Sequence, residues 1–192
     1  MSQQARDHII ETAAKLFHRQ GYHATGIQRI LQEARVPKGS FYFYFKSKQE
    51  LALAVIDYFD QRWGSFAAGI LDEAGRPPLE RLARFFAWFR QYFTQNGFAG
   101  GCPVGNLAQE MGDLNPVLAA KVNASITAMA GRVEKVLAQA RQAGQLAPGV
   151  DTRELAYFII SSWQGALIRM KASKSAEPML IFEKMIFGGL LA

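Results

Sequence analysis

The chain has 192 residues, of which 49% are hydrophobic and 20% are charged, and its formal net charge is +6. This length and composition predict a folded chain with a substantial core and exclude a disordered or fibrous protein. The apolar runs are too short to span a bilayer and no signal peptide is recognisable, so we expect a cytoplasmic protein. A single cysteine, Cys102, excludes an internal disulfide framework.

The positive charge is concentrated near the N-terminus. Residues 1–50 contain eight Lys and Arg against four Asp and Glu, whereas residues 51–192 contain fourteen against twelve. A basic module attached to a nearly neutral body indicates a polyanionic partner such as nucleic acid. On charge alone, a merely solubilising surface is an equal alternative.

Helical spacing and capping signals organise the first third of the chain. Apolar residues predict a helix over 3–20, and residues 25–28 have the T-x-x-Q spacing of a capping box that would open a second helix. A third helix is expected over 37–44, with proline at its first position. The S-x-x-E box at 47–50 would open a fourth helix that reaches about Trp63.

Five consecutive aromatic residues, FYFYF at 41–45, resemble a β-strand by their alternation. Two helix starts bracket this run, and no other segment alternates well enough to supply a sheet partner, so a helix is the better interpretation. In a helix, Phe41 and Phe45 share one face and are expected to pack in the core of a three-helix unit. The other sides would carry Lys38, Gly39, Ser40, Tyr42, Phe43 and Tyr44, edged by Lys46 and Lys48.

This outer surface combines a small residue, hydroxyl groups, an apolar ring and lysines, which is the chemistry of a helix that reads a DNA groove. Lys48 lies at a helix start, where a cation is unfavourable unless an anion such as phosphate is present. Core packing is the alternative for each ring. We favour DNA contact for Tyr42 and Tyr44, because a helix this short cannot bury every side.

Residues 5–64, above all GYHATGIQRILQEARVPKGSFYFYFKSKQEL, resemble the N-terminal helix-turn-helix domain of the TetR family of transcriptional repressors. The resemblance implies an all-α fold of about nine helices. A helix-turn-helix DNA-binding domain would occupy residues 1–48, and a helical ligand-binding and dimerisation domain would occupy residues 49–192.

The resemblance also implies which residues contact DNA. Thr25 and Gln28 would approach it from the second helix, and Tyr44 and Lys48 would hold phosphates. Residues entering the major groove from the third helix would be Lys38, Gly39, Ser40, Tyr42 and Phe43, with Phe43 expected to meet a thymine methyl group or a sugar. The family usually has arginine at the position of Gln28 and glycine at that of Arg35. Gln28 would favour adenine, and Arg35 must adopt a left-handed conformation or reshape the turn.

Residues 79–93, LERLARFFAWFRQYF, predict a helix with aromatic rings on all sides. Such a helix suits a buried core element and also the wall of an apolar ligand cavity. Both alternatives stay open for Trp88, Phe89 and Tyr92.

Cys102 lies in a glycine-rich connection over 96–116. A lone cysteine is more often a small buried apolar group than a reactive one. Its position near a predicted helix start favours reactivity, whereas the nearby carboxylate of Glu110 would disfavour the thiolate.

The segment GCPVGNLAQEMG and the segment WQGALIRMK at 163–171 are similar to a TetR branch whose repressors respond to electrophiles and acrylate-like unsaturated compounds. This implies a ligand or electrophile sensor at Cys102. The other sensor residues would be Asn106, Glu110, Trp163 and Lys171. Because the chain has no second cysteine, a reversible switch would need an adduct, a small thiol, the partner subunit, or an amine such as Lys171, which is otherwise an ordinary solvated lysine.

The C-terminal part is expected to supply the dimer. Long helices are predicted over 116–143 and 152–172, followed by a last helix over 177–189. The last two expose more apolar surface than a monomer covers easily, and in the family the corresponding helices form a four-helix bundle with their mates. The predicted dimer residues are Phe158, Ser162, Trp163, Ala166, Phe182 and Met185.

The sequence therefore predicts a homodimeric transcriptional regulator, a repressor, which releases an inverted-repeat operator in double-stranded DNA when a small-molecule inducer binds or reacts. One alternative is a cysteine-independent regulator of an efflux or catabolic gene with a non-covalent apolar ligand, and another is a non-specific DNA-compacting protein. An enzyme is disfavoured, because all three histidines lie far from Cys102 in the sequence and no metal or phosphate-loop spacing occurs. No cofactor, metal or membrane partner is expected.

Overall fold

The computed structural model describes residues 3–191, and within that range all regular structure is helical. The predicted all-α class is confirmed. The elements are α1 (Gln3–Gln20), α2 (Ile27–Ala34), α3 (Lys38–Tyr44), α4 (Lys48–Leu71), α5 (Pro78–Gln95), α6 (Pro103–Met111), α7 (Pro116–Gln142), α8 (Thr152–Ser173), α9 (Glu177–Met185) and a one-turn π-helix (Ile186–Leu190). Among the described residues, no helix is both long and apolar enough to cross a membrane.

Several helix starts are encoded locally. Pro78, Pro103 and Pro116 are the first residues of α5, α6 and α7. Proline suits this position because the first helical turn leaves its N–H groups unpaired in any case. At the start of α8, the carboxylate of Asp151 accepts two backbone N–H groups of the first turn at 2.8 and 3.0 Å.

The chain forms two compact units. The first, which we call the N-terminal unit, contains the chain through Trp63 together with Pro103–Ser125, and the second, the C-terminal unit, contains Gly64–Cys102 and the chain from Ile126 onward. The boundaries fall inside α4 and α7. The predicted boundary between a DNA-binding domain over residues 1–48 and a ligand-binding and dimerisation domain over residues 49–192 concerns function, and it stays a prediction.

In the N-terminal unit, α1 packs on α2 and α2 packs on α3. The predicted core role of Phe41 and Phe45 is confirmed, since both side chains are buried and their ring centroids lie 5.7 Å apart. Ile9 of α1 and Ile30 of α2 are also fully buried. Burial of each such side chain contributes about 1.5–3 kcal/mol to folding.

The predicted capping box at Thr25 is wrong. Helix α2 begins at Ile27, after Gly26, and has no side-chain cap. The Thr25 hydroxyl instead donates to the backbone oxygen of Gly21 at 2.6 Å and accepts from Gln20 Nε2 at 3.1 Å. It therefore binds the end of α1, whose last carbonyl groups lack partners within the helix.

The second capping box is confirmed. Ser47 Oγ accepts the backbone N–H of Glu50 at 3.1 Å, and the Glu50 carboxylate accepts the backbone N–H of Lys46 at 2.7 Å. Both groups fix the first turn of α4. Pro37, expected as the first residue of α3, is the residue just before it.

Arg35 adopts the left-handed conformation, with φ 53° and ψ 40°. This confirms the first of the two alternatives for the turn between α2 and α3. The backbone N–H of Arg35 closes α2 by donating to the Gln32 oxygen at 3.2 Å. For a residue other than glycine this conformation costs about 1–2 kcal/mol, which the surrounding turn offsets.

The C-terminal unit has a core built from the end of α4 with α5, α7, α8 and α9. Trp163 lies in this core, with its ring 5.1 Å from Phe86 and 5.2 Å from Phe182, and Ala166 is buried there too. The prediction that Trp163, Ala166 and Phe182 form a dimer surface is therefore wrong. They lie on the inward faces of α8 and α9 and pack within one subunit.

Candidate nucleic-acid interface

Helix α3 has a buried face and an exposed face. Tyr42 and Phe43 are 61% and 63% exposed, although the neighbouring Phe41 is fully buried. Lys38 and Gly39 are also exposed, and a Cβ added to Gly39 would meet open space. Packing inside the chain does not require glycine here, so the backbone of α3 is accessible to a partner.

The outer rings of α3 rest against neighbouring rings. The Phe41 and Tyr42 centroids are 5.3 Å apart, and the Phe43 and Tyr44 centroids are 5.0 Å apart, with nearly perpendicular planes in both pairs. Edge-to-face pairs of this kind contribute about 0.5–1.5 kcal/mol and limit ring orientation. Tyr44 and Ser40 are half-buried at the flanks of the exposed face.

Lys48 is the first residue of α4 and lies over an aromatic ring. Its Nζ is 4.2 Å from the centroid of Tyr22, which is a cation–π distance. Burial lowers the pKa of the Lys48 ammonium, and the negative charge of Glu110 acts in the opposite direction. The lysine is thus held at a helix N-terminus, where a phosphate would also bind.

The two residues predicted on the second helix differ in accessibility. Gln28 is exposed in the first turn of α2. Thr25 is 0% exposed, and its hydroxyl is occupied by the contacts with Gly21 and Gln20. The predicted contact between the Thr25 side chain and DNA is therefore withdrawn, and this residue stabilises the turn.

Glu110, predicted as a sensor residue, contacts the turn that follows α1. Its carboxylate accepts the backbone N–H of Tyr22 at 2.7 Å and that of His23 at 2.6 Å. These two contacts with Tyr22 and His23 could not be predicted from the sequence. The glycine at position 21 is the only local signal for them. Glu110 thus belongs to α6 and binds within the N-terminal unit.

The other predicted sensor residues are distributed over several elements. Cys102 is half-buried, directly precedes α6, and packs at the margin of the C-terminal core. Asn106 is half-buried on α6. Lys171 is exposed in the last turn of α8. No described group of three or more His, Cys, Asp or Glu side chains could hold a metal ion.

The aromatic rings of α5 form one continuous cluster. Trp88 and Tyr92 stack with centroids 5.3 Å apart, and Phe89 lies 6.0 Å from Trp163 in the core. An open groove of about 580 Å³ runs along α5 and is lined by Ile70, Arg84, Ala87, Trp88, Arg90, Gln91, Thr94 and Gln95. Of the predicted ligand residues, only Trp88 lines this groove.

The outward faces of α8 and α9 carry exposed apolar side chains. Phe158 and Met185, two of the predicted dimer residues, are 56% and 63% exposed, and Ser162 is half-buried. Further exposed apolar residues on these helices are Tyr157, Ile168, Leu180 and Ile181. Several large apolar side chains exposed on two helices that pack on each other are typical of a protein interface.

Comparison with known proteins agrees with this architecture. The family model for bacterial regulatory proteins of the tetR family matches residues 9–55, and the model for the tetracyclin repressor-like C-terminal domain matches residues 78–186. The HTH-type transcriptional repressor DhaR of Mycobacterium sp. (strain GP1) is 31% identical over 97% of this chain and 92% of its own length. The transcriptional regulator AcuR of Cereibacter sphaeroides is 33% identical over 94% of this chain and 82% of its own length.

A solved structure gives the same result. The crystal structure of the regulatory protein TetR from Rhodobacter sphaeroides has a TM-score of 0.87 at 32% identity, covering 96% of this chain and 97% of that one. Both family models and the DhaR relative place this chain among DNA-binding transcriptional regulators. The chain belongs to the TetR family of bacterial transcriptional regulators.

Proposed function

We propose that this protein is a homodimeric, cytoplasmic repressor which binds an inverted-repeat operator and releases it in response to a small molecule. The observation that carries the proposal is the exposed face of α3, where Tyr42 and Phe43 point outward although the neighbouring Phe41 is fully buried. Two exposed rings beside Lys38 and Gly39 have no role in the core and suit the edges of bases in a major groove.

Each DNA contact follows from position and chemistry. Lys38, Gly39 and Ser40 begin the recognition helix, so their short or cationic groups approach the phosphates and the groove floor. Gln28, exposed on α2, is suited to adenine. Tyr44 and Lys48 flank the groove and bind phosphate oxygens. Thr25 is not included, because its side chain is buried.

Symmetry determines the form of the target. Two copies joined through the outward faces of α8 and α9 would present two α3 helices about one DNA turn apart, so the operator should be an inverted repeat. An inducer needs to stabilise only a dimer geometry in which the two helices misfit the two half-sites. A preference of about 5.5 kcal/mol changes such an equilibrium from nearly full to nearly absent binding.

The direct test is selection of bound duplexes from a random DNA library at physiological salt. We expect enrichment of one inverted repeat, and affinity for it that exceeds the affinity for random duplex by about 10³-fold or more. Equal affinity for random duplex would instead support the second candidate, a non-specific DNA-compacting protein, whose binding depends on phosphate contacts alone.

Replacing Phe43 by alanine is expected to weaken binding to the selected operator by about 1–2 kcal/mol, without changing binding to random duplex. The measurement is operator affinity by fluorescence anisotropy, repeated with deoxyuridine in place of each thymine. Wild-type protein should lose affinity at one such position, and the Phe43→Ala protein should not. Leu114→Ala, which alters an exposed apolar side chain outside α3, is the control. Unchanged affinity of Phe43→Ala would exclude a DNA contact by this ring.

For the inducer we propose an electrophile that reacts at Cys102, on the basis of the half-buried thiol just before α6 and the GCPVGNLAQEMG segment. In this reaction the thiolate adds to the β-carbon of an α,β-unsaturated carbonyl compound. A C–S bond forms, the C=C bond becomes single, and the α-carbon takes a proton from water while the thiol proton leaves to water. Asn106 and Lys171 stay candidate sensor residues.

Cys102→Ser protein is expected to bind the operator like wild type but to stay bound in the presence of acrolein. Release is measured by anisotropy and adduct formation by mass spectrometry, and propionaldehyde, which lacks the C=C bond, serves as the matched control compound. If Cys102→Ser is released as readily as wild type, Cys102 is not the sensor, and the absence of any adduct by mass spectrometry would then indicate a non-covalent ligand. The aromatic cluster of Trp88, Phe89 and Tyr92 then becomes the preferred region for its binding.

A further inference from the structure

The turn between α1 and α2 is held from two sides. Within the turn, the Thr25 hydroxyl donates to the Gly21 oxygen, as described above. From α6, the Glu110 carboxylate accepts the backbone N–H groups of Tyr22 and His23 at 2.7 and 2.6 Å. Two charge-assisted hydrogen bonds to one carboxylate are among the stronger polar contacts in proteins.

Gly21 permits this approach. Its φ of +90° favours glycine, and a Cβ added there would lie 3.1 Å from Oε2 and 3.3 Å from Oε1 of Glu110. The carboxylate thus lies directly over the backbone of the turn. A side chain at position 21 would strain the turn and also displace Glu110.

The same carboxylate acts on a predicted DNA contact. The Lys48 ammonium lies over the ring of Tyr22, whose backbone N–H is bound by Glu110. Burial, followed by the charge of Glu110, raises the pKa of the Tyr22 phenol, whereas the same charge opposes the lowering of the Lys48 pKa by burial.

We propose that Glu110 is a positioning residue for DNA binding, which fixes the turn before α2 and the ammonium of Lys48 in the geometry that fits a half-site. The inference rests on the proposed function. It also connects the DNA-binding surface to α6, the helix that directly follows Cys102 in the chain.

The expected change in operator affinity on removing the Glu110 carboxylate is opposite in sign to the change that simple electrostatics predicts. Removing an acidic charge near a DNA-binding surface should strengthen binding to the phosphate backbone. If Glu110 positions the surface, its removal should weaken operator binding instead. Glu110→Ala is expected to weaken it about tenfold or more, since both hydrogen bonds are lost. Glu110→Gln should have an intermediate effect, because its amide retains one acceptor oxygen.

Asp113→Asn is the matched control, since it removes the same charge from an exposed residue just after α6. This control should bind the operator as tightly as wild type, or slightly more tightly. Affinities are measured well below the unfolding temperature of each variant. The amide exchange of Tyr22 and His23, followed by NMR, should become faster in Glu110→Gln although the thermal unfolding midpoint stays close to that of wild type.

The double variant Glu110→Gln with Lys48→Met distinguishes positioning from general stabilisation. If the double variant loses less operator-binding free energy than the two single variants lose together, Glu110 acts through Lys48. If Glu110→Ala and Glu110→Gln bind a selected operator as tightly as wild type, or if the losses are fully additive, the proposal is overturned. If wild type selects no operator at all, the proposed function fails first.

Discussion

A protein carrying Phe158→Glu is expected to be monomeric and to lose tight operator binding. Phe158 is 56% exposed on the outward face of α8, and a Cβ on the nearby Gly165 would meet open space. A two-fold interface uses the same surface patch of both subunits, so the substitution introduces two carboxylates into one desolvated surface. Each subunit then binds a half-site independently.

The loss of the second half-site should reduce operator affinity by about 10²–10⁴-fold, because the two contacts no longer reinforce each other through a high effective concentration. Sedimentation velocity would report the oligomeric state and anisotropy the affinity. Leu114→Glu makes the same kind of change at a residue that is 66% exposed outside α8 and α9, and it should remain dimeric. A dimeric Phe158→Glu protein with normal affinity would place the interface elsewhere.

The largest effect on stability is expected for Arg81→Ala. The Arg81 side chain is only 7% exposed, yet its guanidinium donates to the backbone oxygen of Leu71 and to Gln139 Oε1, both at 2.5 Å. Leu71 is the last residue of α4, where carbonyl groups lack helical partners and the helix dipole favours a cation. Arg81 therefore closes α4 from α5.

Its removal leaves the buried Leu71 carbonyl and the half-buried Gln139 amide oxygen without their donor and opens a cavity, so the free energy of unfolding should fall by about 3–5 kcal/mol. Urea unfolding followed by circular dichroism measures this change. Arg84→Ala is the control, because Arg84 lies on the same helix but is exposed, and a much smaller change is expected there. Equal changes in the two variants would show that the buried contacts of Arg81 do not stabilise the unit.

The local features of the helix-turn-helix unit could be predicted well from the sequence. The Ser47 and Glu50 capping box forms as expected, since each group reaches backbone atoms a few residues away. The T-x-x-Q spacing at Thr25 has the same appearance but does not cap α2. There the Thr25 hydroxyl donates to the Gly21 carbonyl, which it can reach only because the chain turns sharply after α1.

The amino-acid sequence by itself determined which segments are helical and which side of α3 faces outward. Apolar spacing and chain-breaking residues act over distances of a few residues, so these features could be predicted without knowing the tertiary contacts.

Only the tertiary structure decided which residues each helix face contacts. The pattern on α8 marks Trp163 and Ala166 as apolar, but whether such residues meet their own core or a second subunit depends on how α5, α7 and α9 pack around them. Glu110 likewise binds the N–H of Tyr22, which lies 88 residues away in the chain. A contact between residues so distant in the chain arises only when the fold brings the two segments together, and no local pattern encodes it.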